Sequence, residues 1–270
     1  MQIGFLYPKT SVKEKKMEFT GKTVLITGAA SGIGLECCRE FGKNGARIVM
    51  CDVNQAAMTE KSAELVRDGI DVLTVKTDVR NYEEVNAACS AAYEKFGSLD
   101  AVICCAGGTA KRMLGSSEPT FWETPIEVYD WGIDVNLKGP FYFAHAAMPL
   151  MIKSGGGVFI CLGSVTGIDG DGLGMDYATS KSALMSGFVK SVAMAGADHN
   201  IRACCVAPGP VLTRAAMSGM PTLMHRAAEP MEIVNAIYFL ASEKASFITG
   251  TTLLVDGGHV LVTNKSWGAK

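Results

Sequence analysis

The sequence predicts an α/β fold: a doubly wound parallel sheet of about seven strands with helices on both faces. Three observations predict it. From residue 22 onward, short β-branched-rich runs alternate with longer segments of three- and four-residue apolar spacing. The short runs are apolar on both faces, as in a sheet covered from both sides. Repeated strand–helix units then require right-handed crossovers, which make neighbouring strands parallel.

The expected elements follow in order. Thr23–Thr27 is the first strand, and a glycine-rich turn opens a helix after it. Ala46–Asp52 is the second and ends on an acid. Val72–Thr77 is the third, and Tyr82–Phe96 after it has helical spacing. Leu99–Cys105 and Gly157–Gly163 are the fourth and fifth. Tyr177–Ala197 is a long helical segment, and Ile201–Val206 and Thr252–Val255 close the sheet.

A chain of 270 residues suits one large α/β domain, and no repeat or Pro-rich linker divides it. Residues 1–19 read as a polar N-terminal extension and residues 20–270 as the single domain. With 48% hydrophobic and 19% charged residues, the chain can build a large core, which argues against disorder. A formal net charge of -2 argues against nucleic acid and anionic membrane surfaces as partners. No apolar run is long enough for a membrane span. The stretch Ile3 to Tyr7 is too short for an export signal, and its charges follow rather than precede it. Nine cysteines without a disulfide framework point to a reducing, cytoplasmic setting and read as small apolar core residues. No zinc-type spacing occurs, so no metal is expected.

The segment Thr27-Gly28-Ala29-Ala30-Ser31-Gly32-Ile33-Gly34 lies between the first strand and a helix. Gly28 permits a tight turn, Gly32 a close approach to a pyrophosphate, and Gly34 close helix–strand packing. The helix start offers free N–H groups and partial positive charge. A purely structural turn is the plainer reading of the glycines alone. Asp52 stands 24 residues after Gly28, where an acid can hold an adenosine ribose through its 2′-hydroxyl. Its charge would repel a 2′-phosphate, so NAD is preferred over NADP. A plainer role for Asp52 is to cap the next helix.

Tyr177 and Lys181 are spaced i, i+4 and share one helix face. Ser164 lies just past the fifth strand, and ligands bind beyond the carboxyl ends of parallel strands. Asn136 precedes Gly139-Pro140 in a helical run, which predicts a helix distortion nearby. Taken alone, Ser164 would cap a strand end and Asn136 would be a helix-distorting polar group.

Together these pieces make the chain similar to the short-chain dehydrogenase/reductase family, from about Phe19 to Gly258. The pieces are TGxxxGIG at Thr27–Gly34, Asp52, Asp78-Val79, Ala106-Gly107, Asn136, Ser164, YxxxK at Tyr177–Lys181, Pro208-Gly209 with Thr213, and Asp256-Gly257-Gly258. The resemblance implies a Rossmann-like oxidoreductase that moves a hydride between NAD(H) and a secondary alcohol or ketone. Tyr177 would be the acid/base, its phenolate favoured by the charges of Lys181 and of the oxidised nicotinamide. Lys181 would also hold the nicotinamide ribose, and Ser164 the reacting oxygen. Asn136 would anchor a water linking Lys181 to solvent. Gly28, Ser31, Gly32, Ile33 and Gly34 would cradle the phosphates. Asp78 and Val79 would border the adenine, and Ala106 and Gly107 would also touch the cofactor. Pro208, Gly209, Val211 and Thr213 would surround the carboxamide. The long helical segments Pro125–Ile152 and Tyr177–His199 would form a four-helix subunit contact in a homo-oligomer, a tetramer or dimer.

The chain departs from the family pattern in places. Cys104-Cys105 replaces the usual Asn-Asn, which predicts weaker support for the central sheet. The stretch from Gly108 to Val135 is long and carries Lys111, Arg112, Phe121 and Trp122; either it closes over the pocket or it serves subunit contact or neutral loop variation. The stretch from Arg214 to Ala228 is a short, Met-rich lid with Met217, Met220 and Met224. Asp169, Asp171 and Asp176 could hydrogen-bond substrate hydroxyls. No motif claims the histidines; His259 follows the closing glycine pair. Sugar or polyol, steroid or bile-acid-like, and 3-oxoacyl substrates stay open, as does a catalytically silent NAD-binding sensor.

Overall fold

A computed structural model describes residues 18–115, 117, 119–213 and 215–263. Seven parallel strands form one sheet: β1 (Thr23–Thr27), β2 (Arg47–Asp52), β3 (Val72–Lys76), β4 (Ala101–Cys104), β5 (Gly157–Leu162), β6 (Ile201–Pro208) and β7 (Thr251–Val255). Their order is β3-β2-β1-β4-β5-β6-β7. The winding reverses between β1 and β4, so a crevice opens at the carboxyl ends of those strands.

Side-chain alternation explains why both faces are covered. Val24 and Ile26 of β1 join Ile48, Ile103 and Ile160 in one core. Helix α1 (Gly32–Lys43) and the last long helix (Pro230–Ala241) cover that face. Leu25 points the other way and joins Val49, Val102 and Phe159 in the second core. Helix α3 (Tyr82–Phe96) covers that side, while α2 (Gln55–Arg67) spans from β2 to β3. Phe19, at the end of the stretch read as an extension, packs edge-on at 4.8 Å from Phe41 and 4.9 Å from Tyr238. Residues 1–17 lie outside the described residues.

The helical run around Asn136 is distorted, as its sequence predicts. Helix α4 (Ile126–Ile133) passes through a π-helical turn, Asp134–Lys138, into α5 (Gly139–Lys153). The Asn136 side chain donates to the Gly132 carbonyl at 2.9 Å, taking an acceptor four residues back in the helical ladder.

The segment expected to run unbroken from Tyr177 to Ala197 is interrupted. After the short helix α6 (Thr166–Asp169) come α7 (Met175–Ala183), a second π turn (Leu184–Phe188) and α8 (Val189–Gly196). At this break the Thr252 hydroxyl, from β7, donates to the Met185 carbonyl at 2.6 Å. Apolar periodicity does not report a tertiary hydrogen bond of that kind. The Pro230–Ala241 helix is α9, and α10 (His259–Thr263) closes the described chain.

Cys104 is the last residue of β4 and sits in the sheet. It pairs with Thr27 on one side and Cys161 on the other. The Thr27 hydroxyl accepts from the Ala106 N–H at 2.9 Å and so fastens β1 to the chain just after β4. Cys51, Cys104, Cys161 and Cys205 are all buried on the second face. Burial pushes the Cys51 thiol up to about 12. All nine cysteines are free.

Candidate active site

The glycine turn is stereochemically fixed. Gly28 has φ +62° and Gly32 φ +54°, a region that L side chains rarely adopt. A Cβ at Gly34 would stand 2.3 Å from the Gly28 carbonyl oxygen, and one at Gly28 would stand 2.9 Å from the Ala106 backbone. Helix α1 starts at Gly32, with Ser31 as its N-cap in extended conformation. The first N–H groups of a helix have no partner within it, so this turn presents donors to an anion. These residues fit a dinucleotide pyrophosphate.

Asp52 ends β2 beside that turn. Its Oδ2 accepts from the Ala30 N–H at 3.0 Å and its Oδ1 from the Asn54 N–H at 2.9 Å. The carboxylate is thereby fixed next to the turn. Asn54, rather than Asp52, caps α2, accepting from the Ala57 N–H. Further along this wall the Arg80 guanidinium donates to Asp78 and holds that carboxyl below its usual range. Val79 packs under Gly139, where a Cβ would stand 2.9 Å from Val79 Cγ2.

At the other end of the crevice, Ser164 follows β5 and Tyr177 and Lys181 sit on α7. Lys181 is 4% exposed and donates to the Leu162 carbonyl at 2.7 Å. Its Nζ lies 5.3 Å from the centroid of the Tyr177 ring. Ser164 Oγ accepts from the Thr166 N–H at 3.2 Å, a local turn bond, and the serine lines the crevice. Asn136 is fully buried behind this group. Its side chain accepts from the Gly108 N–H and donates to the Gly108 carbonyl, both at 2.9 Å. A Cβ on Gly107 would meet Asn136 Oδ1 at 2.8 Å and Lys181 Nζ at 3.4 Å.

One pocket of about 740 Å³ joins the two ends. Its lining contains Gly28, Ser31, Gly32, Ile33, Gly34, Asp52, Asp78, Val79, Ala106, Gly107, Ser164, Tyr177, Lys181, Pro208, Gly209, Val211 and Thr213. Asn136 is the one expected site residue outside the lining. Sequence reasoning missed Arg80, Thr109, Trp131 and Thr166, which also line the pocket. Arg80 stands two residues after Asp78, a spacing that signals a local ion pair.

The lid expectation divides. Met217 and Met220 line the pocket, but Phe121 and Trp122 stand at 63% and 82% exposure and do not close over it. The Lys111, Arg112 and Arg214 side chains lie outside the described residues. Of the three acids expected to meet substrate hydroxyls, only Asp171 lines the pocket. Asp176 is buried against Gly132, where a Cβ would stand 2.0 Å from its Oδ2, and Asp169 faces His259. Among the described residues no helix is long and apolar enough to cross a membrane, and no cluster of His, Cys, Asp or Glu could hold a metal ion.

Comparisons with known proteins agree with this layout. A family model described as "Enoyl-(Acyl carrier protein) reductase" matches residues 28–260. The chain is 35% identical to oxidoreductase UcpA of Salmonella typhimurium, over 93% of this chain and 99% of that protein. It is 30% identical to a 7alpha-hydroxysteroid dehydrogenase of Bacteroides fragilis, over 89% and 95% of the two chains. A crystal structure of hydroxysteroid dehydrogenase from Escherichia coli superposes with a TM-score of 0.77 at 29% identity, covering 90% of this chain and 98% of that one. With a family model spanning most of its length and relatives matched nearly end to end, this chain is a member of the short-chain dehydrogenase/reductase family.

Proposed function

We propose that the chain interconverts a secondary alcohol and its ketone with NAD(H), using Tyr177 as the acid/base. The supporting observation is one continuous pocket, which runs from the Gly28–Gly34 turn and Asp52 to Ser164, Tyr177 and Lys181. A bound nicotinamide supplies the hydride acceptor or donor. In oxidation, the Tyr177 phenolate oxygen takes the proton from the substrate hydroxyl as the hydride leaves, and in reduction the Tyr177 hydroxyl returns one to the carbonyl oxygen. The Lys181 ammonium is buried beside the phenol ring, its Nζ 5.3 Å from the ring centroid. Ser164 Oγ orients the reacting oxygen and stabilises its charge. Asn136 keeps the Gly107–Gly108 backbone beside Lys181 and anchors the water through which protons leave.

The Asp52 carboxylate, fixed next to the glycine turn, selects NAD by meeting the 2′-hydroxyl and repelling a 2′-phosphate. Asp52→Ala should lower the NAD/NADP ratio of kcat/KM by about tenfold or more. It should also weaken NAD binding, because Ala30 loses its acceptor. Kinetics with both cofactors check this; an unchanged ratio would assign the selection to another residue.

Met217, Met220 and Trp131 give the substrate end an apolar character, while Thr109, Thr166 and Asp171 add hydroxyl-binding groups. This mixture favours an apolar, hydroxyl-bearing substrate over a sugar. Exposed Phe141 and Ile152 on α5, with Met194 on α8, support a homo-oligomer joined through these helices. Nine free thiols support a reducing, cytoplasmic setting. The test is nicotinamide absorbance with a panel of hydroxysteroids, polyols and hydroxyacyl esters, using each cofactor in turn. Tight NAD binding with no turnover of any compound would instead indicate a silent sensor.

A further inference from the structure

His259 opens α10, immediately after the Gly257-Gly258 turn that follows β7. Its side chain is buried. Nδ1 lies 2.6 Å from the Pro221 carbonyl oxygen. A carbonyl only accepts, so Nδ1 carries the hydrogen of this bond. On the opposite side of the ring, Nε2 faces Asp169 Oδ2 at 3.9 Å. Thr263 Oγ1, one turn further along α10, donates to that same carboxylate oxygen at 3.3 Å.

Helix α10 therefore joins two segments that are distant in sequence, through His259 to Pro221 and through Thr263 to Asp169. Pro221 directly follows Met220, and Asp169 ends the short helix that begins with Thr166. The first segment brings Met217 and Met220 to the substrate end of the pocket, and the second brings Thr166 and Asp171. The turn before His259 supports the same wall from below. Gly258 has φ +80°, and a Cβ there would stand 2.8 Å from Leu223 Cδ1. The Met224 N–H donates to the Gly257 carbonyl at 3.2 Å.

We propose that His259 is a positioning residue that clasps the Pro221 wall to α10, whose Thr263 holds the opposite substrate-side wall at Asp169. It touches no reacting atom. By holding the walls closed it sets the affinity for substrate and leaves the chemical step unchanged, an effect that rests on the hydride-transfer reading of this pocket. A group that acts on ground state and transition state alike moves KM and not kcat.

Two isosteric variants of the full chain test it. The asparagine of His259→Asn places an N–H donor at the Nδ1 position and keeps the Pro221 bond. The glutamine of His259→Gln places its donor at the Nε2 position and loses that bond. Amide hydrogen exchange, read without substrate, should be roughly five- to tenfold faster at residues 220–224 in the Gln variant, which loses the Pro221 bond, and near wild type in the Asn variant, which keeps it. With the best alcohol from the panel, KM should rise about tenfold in the Gln variant while kcat stays within about twofold. Equal exchange in the two variants would overturn the clasp, as would a fall in kcat at unchanged KM. Exchange decides the clasp even if the wild type turns over no alcohol, a result that would refute the hydride-transfer reading separately.

Discussion

Phenylalanine at position 177 should lower turnover by about 10²–10⁴-fold, the usual contribution of a positioned acid/base. The substitution removes one oxygen and keeps the ring. The ring's contact with Lys181, at 5.3 Å from Nζ to centroid, stays available. Tyr177 is half-buried at the pocket wall and no hydroxyl contact of it belongs to the core, so stability should change by less than about 1 kcal/mol. Cofactor affinity should stay within about threefold, since Lys181 and the glycine turn are untouched. Steady-state kinetics and a titration with NAD separate the two effects. Unchanged turnover would remove the phenol from the mechanism; lost NAD binding with normal folding would make Tyr177 a binding residue.

Alanine at position 34 should be the most damaging single-methyl change in the cofactor half. Its Cβ would stand 2.3 Å from the Gly28 carbonyl oxygen, 2.8 Å from the Gly28 carbonyl carbon and 3.1 Å from the Thr27 carbonyl oxygen. All three neighbours are backbone, so the turn itself must move. Overpacking of this kind costs about 1–3 kcal/mol or more. A domain with about 5–15 kcal/mol of stability can still fold, but the displaced turn no longer aims its N–H groups at the pyrophosphate. NAD affinity should fall at least about tenfold together with a lowered Tm. Gly32→Ala is the control. Its Cβ would meet nothing closer than Thr213 Cγ2 at 3.6 Å, so only the strain of φ +54° remains, about 1–2 kcal/mol. Calorimetry and NAD titration of both variants check the order. Equal losses would show that the backbone clash at position 34 costs no more than the left-handed strain at position 32.

Much of this architecture was legible before any coordinates. Tyr82–Phe96 and Thr23–Thr27 have the boundaries that their periodicity predicts, because each buries its own apolar stripe or run locally. The π turn at Asn136 was legible as a distortion, since Gly139-Pro140 sits beside a side chain able to take a carbonyl. Seventeen of the eighteen site residues expected from motifs line the pocket, because loops after parallel strands converge there whatever their separation in sequence. What stayed hidden depends on contacts between distant positions. The break at Leu184–Phe188 accompanies a hydroxyl donated from β7. Asp176 looked like a substrate ligand but is packed against Gly132 on another helix. His259 carried no motif, because its neighbours belong to two distant segments.

A crystal structure of the full chain with NAD bound is the most direct measurement. The pyrophosphate should rest on the Gly28–Gly34 turn, the adenosine ribose on Asp52, and the nicotinamide beside the Tyr177 hydroxyl and Lys181. A dinucleotide seated elsewhere, or a phenol turned away from the nicotinamide, would contradict Tyr177 as the residue that exchanges the proton.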